Sequence, residues 1–278
     1  MEYFPLGDLQ GYHTSPLPEA DVQQICFQLL EGLDSMHCNG FAHRDLKPAN
    51  ILVKSHSPDW WVKIGDFGIS KRAGEGPLQT FTGTLGFMAP EVLVQHGLLD
   101  SGELGELRGY TVAVDIWALG EIAFRALTYE PPFPPPFPRG LASYIKNPSS
   151  YPSNTINDLH LHPNAGEFVW NLLKPMPADP PTAEAALRHP WLASQHKPLS
   201  ASESSADLEG YRLLFLSDTL YLAERQQINA RTHHDFILAL RHNRVKRQGW
   251  GESCSIMLRE LRSISLPASV VGAKPRTY

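Results

Sequence analysis

Val22, Ile25, Leu29, Leu33 and Met36 recur at three- and four-residue spacing, the period of one helical face. They predict an amphipathic helix over 18–39. Pro18 suits a first helical position, Glu19 and Asp21 place negative charge where the helix dipole favours it, and Gly40 is a stop signal. Two runs of another kind follow. Ile51-Leu52-Val53 and Trp61-Val62-Lys63-Ile64 are short, apolar and partly β-branched, and they flank a turn-rich stretch at 55–59, the pattern of a hairpin. Asp115 then opens an apolar run to about Leu127 that predicts a buried helix. Residues 131–138 hold six prolines and two phenylalanines, which excludes regular helix and predicts an extended loop. Short helices are expected at 166–173 and at 182–187, the second capped by Thr182. The fold class is mainly α with short β-hairpins.

Composition narrows this picture. A hydrophobic fraction of 42% and a charged fraction of 19% in 278 residues suit a globular chain with a sizeable core. A net charge of −5 speaks against nucleic acid as a charge-driven partner. The three cysteines, Cys26, Cys38 and Cys254, show neither a disulfide framework nor zinc spacing, as expected of a reducing compartment. No apolar run reaches the length of a membrane span. The first residues are acidic and aromatic rather than basic and then apolar. Cytoplasmic placement follows as an expectation, with the nucleus as the alternative. Residues 193–207 are serine-rich and read as a linker. Residues 208–278 read as an extension of unknown role, with helical stretches at 208–228 and 232–241 and a basic cluster at 241–247. It could pack back on the domain, bind a protein partner or stay unstructured. The charge divides unevenly, with −9 on residues 1–192 and +4 on 193–278.

The chemistry-bearing residues are concentrated in three places. His43-Arg44-Asp45-Leu46-Lys47-Pro48-Ala49-Asn50 holds a base, a cation and an amide ligand in eight residues. Asp66-Phe67-Gly68 follows sixteen residues after Asn50, and Ala89-Pro90-Glu91 twenty-one residues after Gly68. In this order and spacing they resemble the protein kinase family, over residues 1–192. Lys47-Pro48 is the serine/threonine form. The resemblance implies a large, C-terminal kinase lobe with a hinge at 1–8, a catalytic loop at 43–50 and an activation segment at 66–91.

What the resemblance implies can be stated residue by residue. The cofactors are ATP and Mg²⁺, and the partner is a protein substrate bearing Ser or Thr. Asp45 would accept the hydroxyl proton and Lys47 would offset charge on the moving phosphoryl group. Asn50 and Asp66 would hold Mg²⁺ as hard oxygen ligands. The Glu2 carbonyl and the Phe4 amide would meet adenine, with Met1 behind it, Leu52 beneath it and Asp8 at the ribose. Arg44 marks the kinases ordered by phosphorylation, with Thr80 as the foremost phosphosite and Thr82 the next. Thr84 would bond near Asp45 and Lys47. His43 would be structural, stacked on Phe67, and Asp115 would hold the catalytic loop by its backbone. Ile69-Ser70-Lys71 resembles the calcium/calmodulin-type and autophagy-initiating kinases.

Two departures from the pattern matter. The family's arginine partner for Glu91 falls at Pro180 here. Glu91 should therefore be more exposed than usual, or a neighbour such as Arg188 should replace the lost cation. Between Glu91 and Asp115 the chain is about a dozen residues longer than a compact kinase, around 97–109, read as a surface insertion. The chain also contains no Gly-x-Gly-x-x-Gly, and no strand Lys paired with a helix Glu. Two functions stay open on these grounds. One is ATP-dependent phosphoryl transfer, weak or absent in this chain by itself. The other is a non-catalytic kinase-like binding or scaffold module.

Overall fold

The computed structural model describes residues 4–66, 71–72 (backbone only), 85–100, 111–133 and 135–195. Within them the fold is helix-rich, with two small antiparallel sheets. The first long helix, α1 (Glu19–Cys38), buries Val22, Ile25, Leu29, Leu33 and Met36, the five positions of the apolar stripe. Pro18 is its N-cap rather than its first helical residue. Strand β1 (Phe41–Ala42) follows, then the hairpin β2 (Ile51–Ser55) and β3 (Trp61–Ile64), with Ile51 opposite Ile64 and Leu52 opposite Lys63. The backbone of β4 (Lys71–Arg72) returns to pair with β1.

Two glutamines of α1, one turn apart, fix the hairpin to the helix. Gln24 donates to the Pro58 carbonyl (2.9 Å) and accepts from the Trp60 amide (2.9 Å). Gln28 donates to the Trp60 carbonyl (2.7 Å) and accepts from the Val62 amide (3.0 Å). Each side-chain amide completes backbone groups that a sheet edge would leave unpaired. The start of α1 is tied to the far end of the domain, where Glu19 accepts from the Trp191 indole (2.6 Å) and Gln23 donates to the Trp191 carbonyl (2.6 Å).

After α2 (Pro90–Gln95) comes α3 (Ala113–Thr128), buried along nearly its whole length. It begins two residues before Asp115 and ends at Tyr129, whose φ of 63° supplies the left-handed stop that glycine more often provides. Shorter helices complete the layer: α4 (Arg139–Lys146), α5 (Ser153–Asn157), α6 (Asn164–Leu172) and α7 (Ala183–Leu187), the last capped by the Thr182 hydroxyl. Where the sequence predicts an extended loop, Pro132, Pro135, Pro136 and Pro138 lie in bends and a turn before α4, and residue 134 lies outside the described residues. The linker, the extension at 208–278 and most of the expected insertion also lie outside them.

α6 packs on α3 at Gly120. A Cβ there would stand 2.8 Å from Leu173 Cγ and 2.9 Å from Leu173 Cδ2, inside any real contact distance, and 3.0 Å from Leu172 Cβ. Gly120→Ala is expected to destabilise the domain by about 1–3 kcal/mol through overpacking. A urea titration checks it, and an unchanged midpoint would mean that the two helices can separate without cost.

Candidate active site

β1 and the β2 strand bracket the loop 43–50, and α3 holds it from beneath. Asp115, with no exposed surface, accepts from the His43 amide (2.8 Å) and the Arg44 amide (2.7 Å), while His37 Nε2 lies 2.8 Å from the same carboxylate. Burial alone would push the Asp115 carboxyl up. The His37 hydrogen bond, the charges of His37 and His43 and the Arg44 amide outweigh it and hold the group below its ordinary value. Arg44 sits at φ 71°, a left-handed conformation that bulky residues adopt only when their surroundings impose it. The Arg44 amide bond to Asp115 is one such constraint.

The loop's side chains meet at Asp45. Lys47 Nζ stands 2.8 Å from Asp45 Oδ2, and both groups are largely buried. The Asn50 amide nitrogen donates to the Asp45 carbonyl (2.7 Å) and to Oδ2 (3.1 Å). Its orientation is therefore fixed with nitrogen toward Asp45, which leaves Oδ1 as the atom able to take a cation. Asp66 is set beside this cluster by the hairpin. Ile64 pairs with Ile51, the Gly65 amide donates to the Asn50 carbonyl (2.7 Å), and His43 Nε2 lies 2.9 Å from the Gly65 carbonyl. Gly65 is thus held on both sides, and the next residue, Asp66, turns outward at φ 55° and is exposed. Asp45, Lys47, Asn50 and Asp66 fall at one end of the hairpin. Buried His43 acts as a strut between loop and hairpin; Phe67 lies outside the described residues.

The segment expected to meet adenine reaches the same end. The Val53 amide donates to the Gly7 carbonyl (2.9 Å), and Asp8 forms an isolated antiparallel bridge with Leu52. Leu52 lies between this segment and Gly65, whose Cβ, were there one, would be 3.0 Å from Leu52 Cδ1. Phe4 and Leu52 are half-buried. Asp8 Oδ1 accepts from the Gly11 amide at 3.4 Å, capping the turn Leu9–Tyr12. Met1, Glu2, Thr80, Thr82 and Thr84 lie outside the described residues.

The oxygen donors suit magnesium. Among the described residues no group of three or more His, Cys, Asp or Glu side chains is placed to cage a metal by itself. Mg²⁺ needs no such cage, since it binds through one or two protein oxygens and completes its shell with phosphates and water.

Glu91 departs from both expectations. It is 3% exposed, and among the described residues its Oε1 finds no hydrogen-bond partner. Arg188 does not replace the lost cation: it pairs with Glu184 one turn back on α7, with its side chain 69% exposed. Glu91 is drawn inward because its neighbours in the short α2, Pro90, Val92 and Leu93, are core residues. Burial pushes its carboxyl up to about 7, opposed only by its own backbone amide. Sequence reading missed His37, since a polar residue late in an amphipathic helix gives no sign of a partner 78 positions away.

A family model for the protein kinase domain matches residues 1–192. Serine/threonine-protein kinase RAD53 of Saccharomyces cerevisiae is 31% identical over 252 residues, covering 89% of this chain and 30% of that protein. Serine/threonine-protein kinase cds1 of Schizosaccharomyces pombe is 34% identical over 215 residues, 74% of this chain and 45% of the other. Calcium/calmodulin-dependent protein kinase type 1 of Caenorhabditis elegans is 35% identical over 179 residues, 63% of this chain and 47% of the other. The chain thus spans less than half the length of these relatives. A solved structure of the Rad53 kinase domain and SCD2 in complex with AMPPNP superposes with a TM-score of 0.55 at 30% identity, covering 73% of this chain and 71% of that one.

Proposed function

This chain belongs to the eukaryotic serine/threonine protein kinase family, and from that premise we propose that residues 1–192 form the large, C-terminal lobe of such an enzyme. The reaction is transfer of the γ-phosphoryl group of ATP to a Ser or Thr hydroxyl of a protein. The observation that carries this reading is the cluster at Asp45, where one carboxylate is held by both Lys47 and Asn50.

Each group has a task set by its chemistry. Asp45, oriented by Lys47 and Asn50, takes the proton of the acceptor hydroxyl. Lys47 sits beside it as a cation for the oxygens of the phosphoryl group in transit. Asn50 Oδ1 and the Asp66 carboxylate would hold Mg²⁺, which when bound would neutralise phosphate charge. The Glu2 carbonyl and Phe4 amide take adenine, Leu52 floors it, and Asp8 serves the ribose. Arg44 is the partner for a phosphate on Thr80 or Thr82, and Thr84 bonds near Asp45 and Lys47. The extension at 208–278 is assigned to a protein partner, and the chain to the cytoplasm or nucleus.

A polypeptide of residues 1–278 holds no Gly-x-Gly-x-x-Gly, so nothing of that kind within it folds over the phosphates. We expect weak nucleotide binding and slow transfer from this polypeptide by itself. That same feature favours a second reading, a kinase-like module that binds substrates without modifying them.

Asp45→Asn separates the two. Loss of a general base is worth about 10²–10⁴-fold, so the variant is expected to lower transfer by at least that lower bound while leaving nucleotide binding near wild type. Radiolabel transfer to a Ser/Thr protein and magnesium–AMPPNP titration read the two quantities. Transfer undiminished in Asp45→Asn would defeat the assignment, and no transfer from wild type under forcing conditions would favour the binding module.

A further inference from the structure

In the last turns of α3 a guanidinium is built into a fixed position. Arg125 Nε lies 3.2 Å and Nη2 3.1 Å from Glu121 Oε2, and Nη2 also donates to the Gly86 carbonyl at 3.3 Å. The Arg125 guanidinium carbon stands 4.8 Å from the centre of the Phe87 ring, a cation–π contact. The loop is shaped for this side chain, since a Cβ on Gly86 would come within 2.8 Å of Nη2. Two of the five N–H groups thereby donate, Nε to Glu121 and one of Nη2 to Gly86, while Nη2 also faces the Glu121 carboxylate. The two of Nη1 have no acceptor among the described residues, and the side chain is 21% exposed. A rotationally locked guanidinium with an open edge is the arrangement that recognises a carboxylate.

Its place in the fold relates it to the reaction. The turn Leu85–Phe87 belongs to the proposed activation segment, which starts at Asp66 beside Asn50 and ends in α2. Helix α3 joins Asp115, which grips the amides of His43 and Arg44, to Arg125 ten residues on. That separation is about 15 Å along a helix, the length of about five extended residues. We propose that Arg125 is a specificity-determining residue that selects protein substrates carrying an acidic side chain within five residues of the phosphorylated hydroxyl. The inference rests on the phosphotransfer reading and adds the substrate class to it.

The counter-charge does not cancel the site. Glu121 is almost wholly buried, and burial raises its carboxyl, with Arg125 opposing. A carboxylate that ionises reluctantly leaves Arg125 with much of its positive charge. The surroundings make the preference local. Residues 1–192 carry −9 overall, a field that disfavours an acidic run, so one carboxylate at one position is what the site takes.

The test uses peptides with a single serine and one Glu, or Gln in its place, stepped through five positions on either side, binding to the 278-residue chain by fluorescence anisotropy. At one position Glu should bind about tenfold tighter than Gln, the worth of one hydrogen bond to a charged group. Arg125→Gln should erase that difference with Gln-peptide affinity unchanged, and Arg125→Lys should keep part of it. Gly86→Ala, which displaces the guanidinium without deleting it, should reduce it. If Arg125→Gln does not fold, the pair Glu121→Gln with Arg125→Gln takes its place with the same expected loss. Equal binding of Glu and Gln peptides at every position, or an equal loss of both in Arg125→Gln, overturns the proposal. Magnesium–AMPPNP binding by the same preparations separates the two readings. Nucleotide binding without peptide discrimination sinks this inference alone, and discrimination without nucleotide binding sinks the phosphotransfer reading.

Discussion

Asp115→Ala is expected to cost about 3–5 kcal/mol, the penalty for breaking a buried, hydrogen-bonded charge. The carboxylate has no exposed surface and takes the His43 amide, the Arg44 amide and His37. Alanine leaves two backbone N–H groups and an imidazole without their acceptor in a place water does not reach, at about 1–3 kcal/mol for each unsatisfied group. Against a total stability of about 5–15 kcal/mol, that loss puts the domain near its unfolding threshold. Asp115→Asn should fall between, since one side-chain oxygen still serves one amide while the new NH₂ group faces the other. Chemical denaturation gives the ranking wild type, Asn, Ala. Amide hydrogen exchange in Asp115→Asn should speed up first at His43 and Arg44, before the rest of the core. An Asp115→Ala chain with the wild-type midpoint would show that the loop 43–50 holds its shape without α3. The left-handed Arg44 would then need another cause.

How much of this was legible beforehand depends on the range of the interaction. The stripe of α1 is a local signal, and the structure places the helix at Glu19–Cys38, within a residue of its predicted ends. The hairpin is local as well, and β2 and β3 pair where the apolar runs predict them. The ends of α3 were less visible because apolar residues continue across its start, and its stop is a left-handed Tyr129 with no glycine to announce it. Helix α4 was not predicted. It follows the proline run and offers the core only Leu141 and Tyr144, too few to make a period. The pairing of β1 with β4 joins two dipeptides 30 positions apart, and no local pattern carries it.

The candidate site divides in the same way. The chemistry of Asp45, Lys47, Asn50 and Asp66 could be named from motif spacing, but their arrangement could not. The orientation of Asn50 depends on the Asp45 carbonyl, and the place of Asp66 depends on Gly65 being bonded to both Asn50 and His43. Arg125 and Glu121 gave no motif at all. In an apolar helix they read as interruptions until Gly86 and Phe87 are seen against them.

Glu91→Gln is expected to stabilise the domain by roughly 3 kcal/mol above pH 7.5, and by no more than about 1 kcal/mol at pH 5. The sign follows from proton binding. The Glu91 carboxyl is raised from 4.5 to about 7 in the folded chain, so the folded state holds a proton that the unfolded state has released. Stability is then at its fullest below pH 4.5 and declines through the window up to about 7, beyond which the whole penalty is present. Gln has the shape of the protonated acid and cannot ionise, so it removes the slope. Glu121 acts in the same direction and His189, whose burial lowers it, in the opposite one. Both are common to the two proteins and cancel in the difference. Urea midpoints of wild type and Glu91→Gln between pH 5 and 8.5 should diverge as pH rises. Parallel curves would mean that Glu91 stays ionised at every pH because a cation reaches it in solution, and that the proline at position 180 has cost this family member nothing.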